Sequence, residues 1–170
     1  MRIVFMIAMV IGMAIPSMAQ KFGHINSNKL LMAMPERETA EKQIEEQATL
    51  YDQELQNMQA EFQKKYEEYL GKAETWPEAI RKSKEKELRQ LEQGMQDFSQ
   101  TAQQDLAKLE EDLLTPLIDR ARKAIEDVGK ENGFTYIFDV STGATLYNGG
   151  EDVMGLVKAK LGIPEEAAGE

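Results

Sequence analysis

No cysteine occurs anywhere in this chain, and there is only one histidine and one tryptophan. Without thiols there is no disulfide framework, no thiolate metal set and no cysteine nucleophile. A solitary histidine, His24, supplies neither a ligand cluster nor a base for a nucleophile, so packing or a surface position is expected of it. Gly149-Gly150 is too short a glycine run to cradle a phosphate. The many Asp and Glu residues fall on exposed helix faces rather than around a pocket. These absences argue against an enzyme, and neither cofactor nor metal is expected. Positive charge is also scarce, with 20 Lys and Arg against 30 Asp and Glu and a net charge of −10.

Long apolar runs are missing with one exception. Ile3 to Ile15 is continuously apolar or small, behind the positive end Met1-Arg2 and ahead of Pro16 and Ser17-Met18-Ala19. The run is shorter than the roughly 20 residues of a relaxed membrane span. The small residues at 17 and 19 suit a cleavage site, so residues 1–19 read as a secretory signal with maturation at Gln20. A retained membrane anchor is the alternative. No Cys follows the run, which excludes lipoprotein processing. An exported chain without disulfides must draw its stability from elsewhere. Nucleic-acid binding is not expected of an exported protein this acidic.

Proline and glycine are both missing from Glu36 to Leu70, and at 1.5 Å per residue that stretch spans roughly 50 Å as a helix. Ile44, Ala48, Tyr51, Leu55, Met58 and Phe62 recur at alternating spacings of 4 and 3, with Tyr69 one heptad on. This is the narrow seam of a coiled coil. A second seam runs through Ile80, Leu88, Leu91, Met95, Phe98, Ala102, Leu106, Leu109 and Leu113. The two seams mirror each other. Tyr69 pairs with Ile80, Phe62 with Leu88, Met58 with Leu91, Leu55 with Met95, Tyr51 with Phe98, Ala48 with Ala102 and Ile44 with Leu106, all about one centre between Glu74 and Thr75. The pattern predicts a long antiparallel coiled-coil hairpin over 36–114, ended by Gly71 and restarted by a Thr75-x-x-Glu78 capping box with Pro77 in the first turn. Two amphipathic helices packed separately in a globule are the alternative. The faces outside the seams are too polar for burial on two sides.

The flanks are shorter elements. Lys21 to Ile25 reads as a strand, Asn26-Ser27-Asn28 as N-cap candidates and Lys29 to Met34 as a short helix, with Pro35 opening the long one. Pro116 is expected to break or kink the return helix. A wider apolar face then runs from Leu117 to Val128. Phe134 to Val140 reads as a strand, Ser141-Thr142-Gly143 as a turn and Ala144 to Tyr147 as a second strand paired with it. Asp152 is expected to cap a last helix through Leu161, with a loose tail after Pro164. The architecture expected is α+β and mostly helical, one domain over 20–170 with a body of 20–35 and 115–170 from which the arm of 36–114 projects. A body of about 65 residues and three strands has a marginal core and two open edges. Pairing with further copies would complete it; the arm folding back on a monomer is the alternative.

The distal third of the arm is the candidate site. Between Lys64 and Arg89 there are eight basic and six acidic residues, in a chain that is otherwise acidic. Lys64, Lys65, Lys72, Arg81, Lys82 and Lys84 form the candidate basic tip, and Trp76 sits at the bend. The alternatives are plain. Such charges also form i,i+4 pairs on a solvated face, as Lys64 and Glu68 could, and Trp76 could simply cap the hairpin end.

Lys21-Phe22-Gly23-His24-Ile25-Asn26-Ser27 leading to Met34-Pro35-Glu36, then Leu114-Thr115-Pro116 through Ala124-Ile125, Glu131 to Val140, and Glu151-Asp152-Val153 through Val157-Lys158, resemble the Skp/OmpH family of periplasmic chaperones. The resemblance covers the chain beyond residue 19. It implies a homotrimer with a central β-body and three arms around a cavity. It also implies a periplasmic holdase that shields unfolded outer-membrane proteins without ATP or metal. Some members are strongly basic and are thought to attract acidic clients or lipopolysaccharide. This chain is acidic, so a lipopolysaccharide site does not carry over, and transient membrane-surface contact stays open. A structural or adhesive coiled-coil spacer of the envelope is the other function class. A spacer favours uninterrupted rods assembled end to end, whereas a holdase needs a folded-back hairpin.

Overall fold

The computed structural model describes residues 20–164. The proposed signal segment and the tail beyond Pro164 lie outside the described residues. The elements in chain order are β1 (Lys21–Ile25), α1 (Ser27–Met32), α2 (Pro35–Lys72), α3 (Glu78–Glu131), β2 (Phe134–Asp139), β3 (Glu151–Asp152) and α4 (Met154–Leu161). Residues 20–30 and 123–164 form one compact unit, and residues 31–122 form another.

The first unit is built on a three-stranded sheet of order β2-β1-β3. β1 pairs in parallel with both neighbours, Phe22 opposite Tyr136 and His24 opposite Phe138 on one side, Gly23 opposite Glu151 and His24 opposite Asp152 on the other. Parallel neighbours need a long crossover, and the helices α1 to α3 lie in the chain between β1 and β2. Ile25, Leu30, Val128, Val153 and Val157 are its most deeply buried side chains, with Ala124 and Ile163 beside them in the buried set. Asn26 accepts the amide of Lys29 at 3.0 Å, so α1 starts at Ser27, two residues before the expected position. Asp139 closes β2 by accepting the Ser27 hydroxyl at 2.5 Å and the amides of Ser27 and Ser141. Burial pushes its carboxyl up, but those hydrogen bonds outweigh it and hold the carboxyl below its usual range. Asp152 accepts the amide of Met154 at 2.9 Å, at the head of α4.

The expected second strand, Ala144 to Tyr147, is not one. These residues form no ladder, and Leu146 and Tyr147 are exposed. The amide of Val140 still donates to the carbonyl of Ile25, and the amide of Ser141 then donates to the Asp139 carboxylate, which closes a turn after β2. Gly143 takes the positive φ the turn suggested, at 70°. The edge of β1 away from β2 is then taken by Glu151–Asp152. A Cβ at Gly150 would lie 2.7 Å from the carbonyl oxygen of Phe22, so only glycine lets the backbone approach there.

The second unit consists chiefly of α2 and the greater part of α3. Pro35 occupies the first turn of α2, followed by Glu36 and Glu38 near its positive end. The helix runs through Gly71, expected to stop it, and ends at Lys72. The expected capping box is absent. The Thr75 hydroxyl turns back and donates to the carbonyl of Lys72 at 2.8 Å, joined by the amides of Thr75 and Trp76. Three donors thus converge on an otherwise orphaned helix-end carbonyl, which leaves Pro77 to open α3 through its own carbonyl. α3 also continues across Pro116, where a break or kink was expected. The proline removes one bond from the ladder, while the turns on either side stay helical.

Candidate interaction surfaces

Within the second unit, side chains of α2 meet side chains of α3 at several levels. Tyr51 and Phe98 meet edge to face with centroids 5.9 Å apart. The Met58 terminal methyl lies 3.7 Å from where a Cβ on Gly94 would stand. Towards the turn the contacts become polar. Lys65 pairs with Glu87, and the Tyr69 hydroxyl donates to Glu85 at 2.8 Å. Far from the turn, Tyr51 donates to Asp105 at 3.3 Å, and Arg120 pairs with Glu36 at 2.7 Å. As residue numbers rise along α2, those of the partners fall along α3.

The candidate cations mostly have local partners. Lys65 pairs with Glu87 across the helices and with Glu61 along its own. Lys72 pairs with Glu68 at 3.0 Å, which takes Glu68 from Lys64, the partner expected for it. Lys82 pairs with Glu78 at 2.7 Å, Lys84 with Glu87 at 2.8 Å, and Arg81 with Glu85 at 3.9 Å. Lys64 makes no ion pair among the described residues. Glu87, held by Lys65 and then by Lys84, has its carboxyl lowered to about 2. Trp76 packs on Tyr69 with centroids 6.3 Å apart, so part of its ring covers the helix end. The tip residues therefore share one end of the unit, with their charge largely compensated.

Sequence reasoning missed the apolar content of that same end. Phe62 and Tyr66 stack nearly parallel, 5.9 Å between centroids, and Tyr66 and Leu70 are 41% and 61% exposed. Tyr66 and Leu70 lie off the heptad seam, and a search for seam positions passes over them. The available signal was the i, i+4, i+8 spacing of Phe62, Tyr66 and Leu70.

The first unit presents a different surface. Phe22, Tyr136 and Phe138 stand in a cluster on one face of the sheet, with centroid separations of 6.1 to 6.4 Å. They are 40%, 60% and 49% exposed. The loop from Ala144 to Gly150 borders this face across an open cleft of about 690 Å³ lined also by His24. His24 Nδ1 is buried there without a hydrogen-bond partner. The outer edge of β2 has no partner strand among the described residues. No helix among the described residues is long and apolar enough to cross a membrane, and no group of His, Asp and Glu among them is placed to hold a metal ion.

Comparison with known proteins gives these surfaces a family. The chain is 24% identical over 131 residues to the chaperone protein Skp of Photorhabdus laumondii, covering 77% of this chain and 79% of that one. It is 23% identical over 130 residues to the chaperone protein Skp of Pectobacterium atrosepticum, covering 76% and 79%. With the Skp of Yersinia enterocolitica it shares 22% over 123 residues, covering 72% and 75%. The outer membrane protein (OmpH-like) family matches residues 21–161. That span takes in every strand and helix described, from the first residue of β1 to the last of α4, and the chain therefore belongs to the Skp/OmpH family.

Proposed function

We propose that the protein is a periplasmic holdase chaperone that binds unfolded outer-membrane proteins and prevents their aggregation without ATP. In this reading residues 1–19 are removed on export, and residues 20–170 form a single chaperone domain. α2 and α3 act as the two halves of an antiparallel coiled-coil arm. Three copies associate through the β-body, and their arms wall a cavity for the client. The observation that carries the reading is the family match over 21–161 together with the contacts that bring Tyr51 to Phe98 and Lys65 to Glu87.

The physics is coherent with that role. An unfolded barrel strand exposes apolar side chains and unpaired backbone, and it aggregates on contact with its own kind. Walls that are polar outside a thin seam shield it through many weak contacts. Release follows when the client buries itself better elsewhere, which requires no nucleotide. Client contact is assigned to the distal end, with Lys64, Lys65, Lys72, Trp76, Arg81, Lys82 and Lys84. No cofactor and no nucleic acid enter this reading, and membrane contact is at most transient.

The test is dilution of a urea-denatured outer-membrane barrel into buffer with and without the protein, free of nucleotide. Light scattering is expected to be suppressed at a ratio of one client to one oligomer. Unsuppressed scattering would exclude the holdase and leave the envelope spacer as the better reading.

A further inference from the structure

The distal part of α2 carries an apolar ladder that starts at the seam position Phe62 and leaves the seam at Tyr66 and Leu70. Phe62, Tyr66 and Leu70 follow one another at every fourth position. Phe62 is half-buried and its ring continues into that of Tyr66, whereas Tyr66 and Leu70 face solvent. Four helical residues rise about 6 Å. Every second residue of an extended chain advances about 6.7 Å. Over three rungs the two periods stay within about 1.5 Å of each other, less than the reach of an aromatic ring. The rungs follow the ridge of every fourth residue, inclined about 26° to the helix axis, so an extended segment crossing α2 along that ridge can set three successive same-side side chains against them.

The charges beside the ladder decide what kind of segment fits. On one flank Gln63 donates to Glu67 at 2.8 Å. On the other, Lys65 is held between Glu61 and Glu87. Gln63 is neutral and leaves Glu67 its negative charge, and Lys65 is already paired, so neither border of the strip presents a free cation to attract a polyanion. Its electrostatic complement is an uncharged stretch, and its shape complement is one with an apolar side chain at every second position. Strands destined for a lipid-facing barrel wall have that alternation.

We propose that Phe62, Tyr66 and Leu70 form a strand-reading ladder that binds extended client segments by their alternate apolar side chains. The inference rests on the holdase reading and adds to it a recognition element and a preferred pattern. The ladder then governs which client segments are retained.

The test uses protein purified from cells expressing the whole chain and two short, labelled, uncharged peptides of identical composition. One has aromatic and aliphatic residues at every second position, and the other has them at every third. Fluorescence anisotropy is expected to show the alternating peptide bound about tenfold more tightly. The double variant Tyr66→Ser, Leu70→Ser is expected to lose that preference, and Tyr66→Phe to keep it. Both ladder positions are exposed, and retained helical circular dichroism verifies that the double variant is folded. Equal binding of the two peptides by the wild type would overturn the ladder, as would an unaltered preference in the double variant. So would ladder-dependent binding to phosphatidylglycerol vesicles with no peptide binding. If the wild type suppresses barrel aggregation and only the peptide preference is missing, the ladder alone fails. If it does not suppress aggregation, the holdase reading fails first.

Discussion

At the scale of single residues, Glu87 connects the two long helices most directly. It accepts from Lys65 on α2 and from Lys84 on its own helix, and both bonds favour the ionised carboxylate. Its carboxyl is therefore lowered from 4.5 to about 2. A depressed folded value means that the ionised group stabilises the paired helices fully above the unfolded value. That contribution drains away as pH falls from about 4.5 through about 2. All the groups involved are accessible to solvent, so salt screens the effect. A pH titration followed by carboxyl-carbon NMR is expected to give Glu87 a midpoint near 2, rising in molar salt. A midpoint at the ordinary glutamate value would mean that Lys65 and Glu87 do not meet in solution. None of this was visible in the charge count. Eight basic residues against six acidic ones suggested a positive tip, but the count does not reveal that five of the candidate cations have carboxylates within 4 Å.

Among the elements, α3 tests how far a helix tolerates interruption. Gly94 sits in its interior at the level of Met58, where a glycine costs backbone entropy without supplying a contact. A Cβ there would be 3.7 Å from the Met58 methyl, ordinary van der Waals contact. Gly94→Ala is thus expected to stabilise the chain by roughly 0.5–1 kcal/mol, measured as a higher thermal midpoint by circular dichroism. A lower midpoint would mean that the two helices need closer approach at this level than Ala permits. The same helix shows what could be read in advance. The long helical run of α2 and the place of Pro35 at its head were legible because helical spacing and a fixed proline φ act within a few residues. The first strand and β2 were legible because β-branched and aromatic runs act locally as well. The missed features depend on competition between elements. Pro116 stays within a helix because the turns on either side hold, and the Thr75 hydroxyl serves the end of α2 rather than the start of α3. Ala144 to Tyr147 had strand composition, but the β1 edge went to Glu151–Asp152, where a glycine permits the approach of two backbones.

For the whole molecule, the question is what covers the sheet. Phe22, Tyr136 and Phe138 each keep about half of their surface in water. At roughly 150–250 Å² per aromatic side chain, the three together still expose about 300 Å². Leu146 and Tyr147, exposed on the bordering loop, add roughly as much again. The total approaches the roughly 800 Å² per partner of a stable interface, and it exceeds what scattered surface residues present. Next to it lies the edge of β2, unpaired among the described residues, a second feature that invites another chain. A second copy offers both complements, because its own loop and edge carry the same chemistry. A head-to-tail contact of this kind closes into a ring when its rotation allows. The expectation is that light scattering gives the wild type three times the mass of one chain. The Tyr136→Ser, Phe138→Ser double variant should give the mass of one, with its helix content unchanged. Since neither side chain is buried, loss of the ring without loss of helix would assign these aromatics to contacts between copies. A wild type that stays at single-chain mass across the concentration range would leave the aromatic cluster without a partner and remove the cavity on which the holdase reading depends.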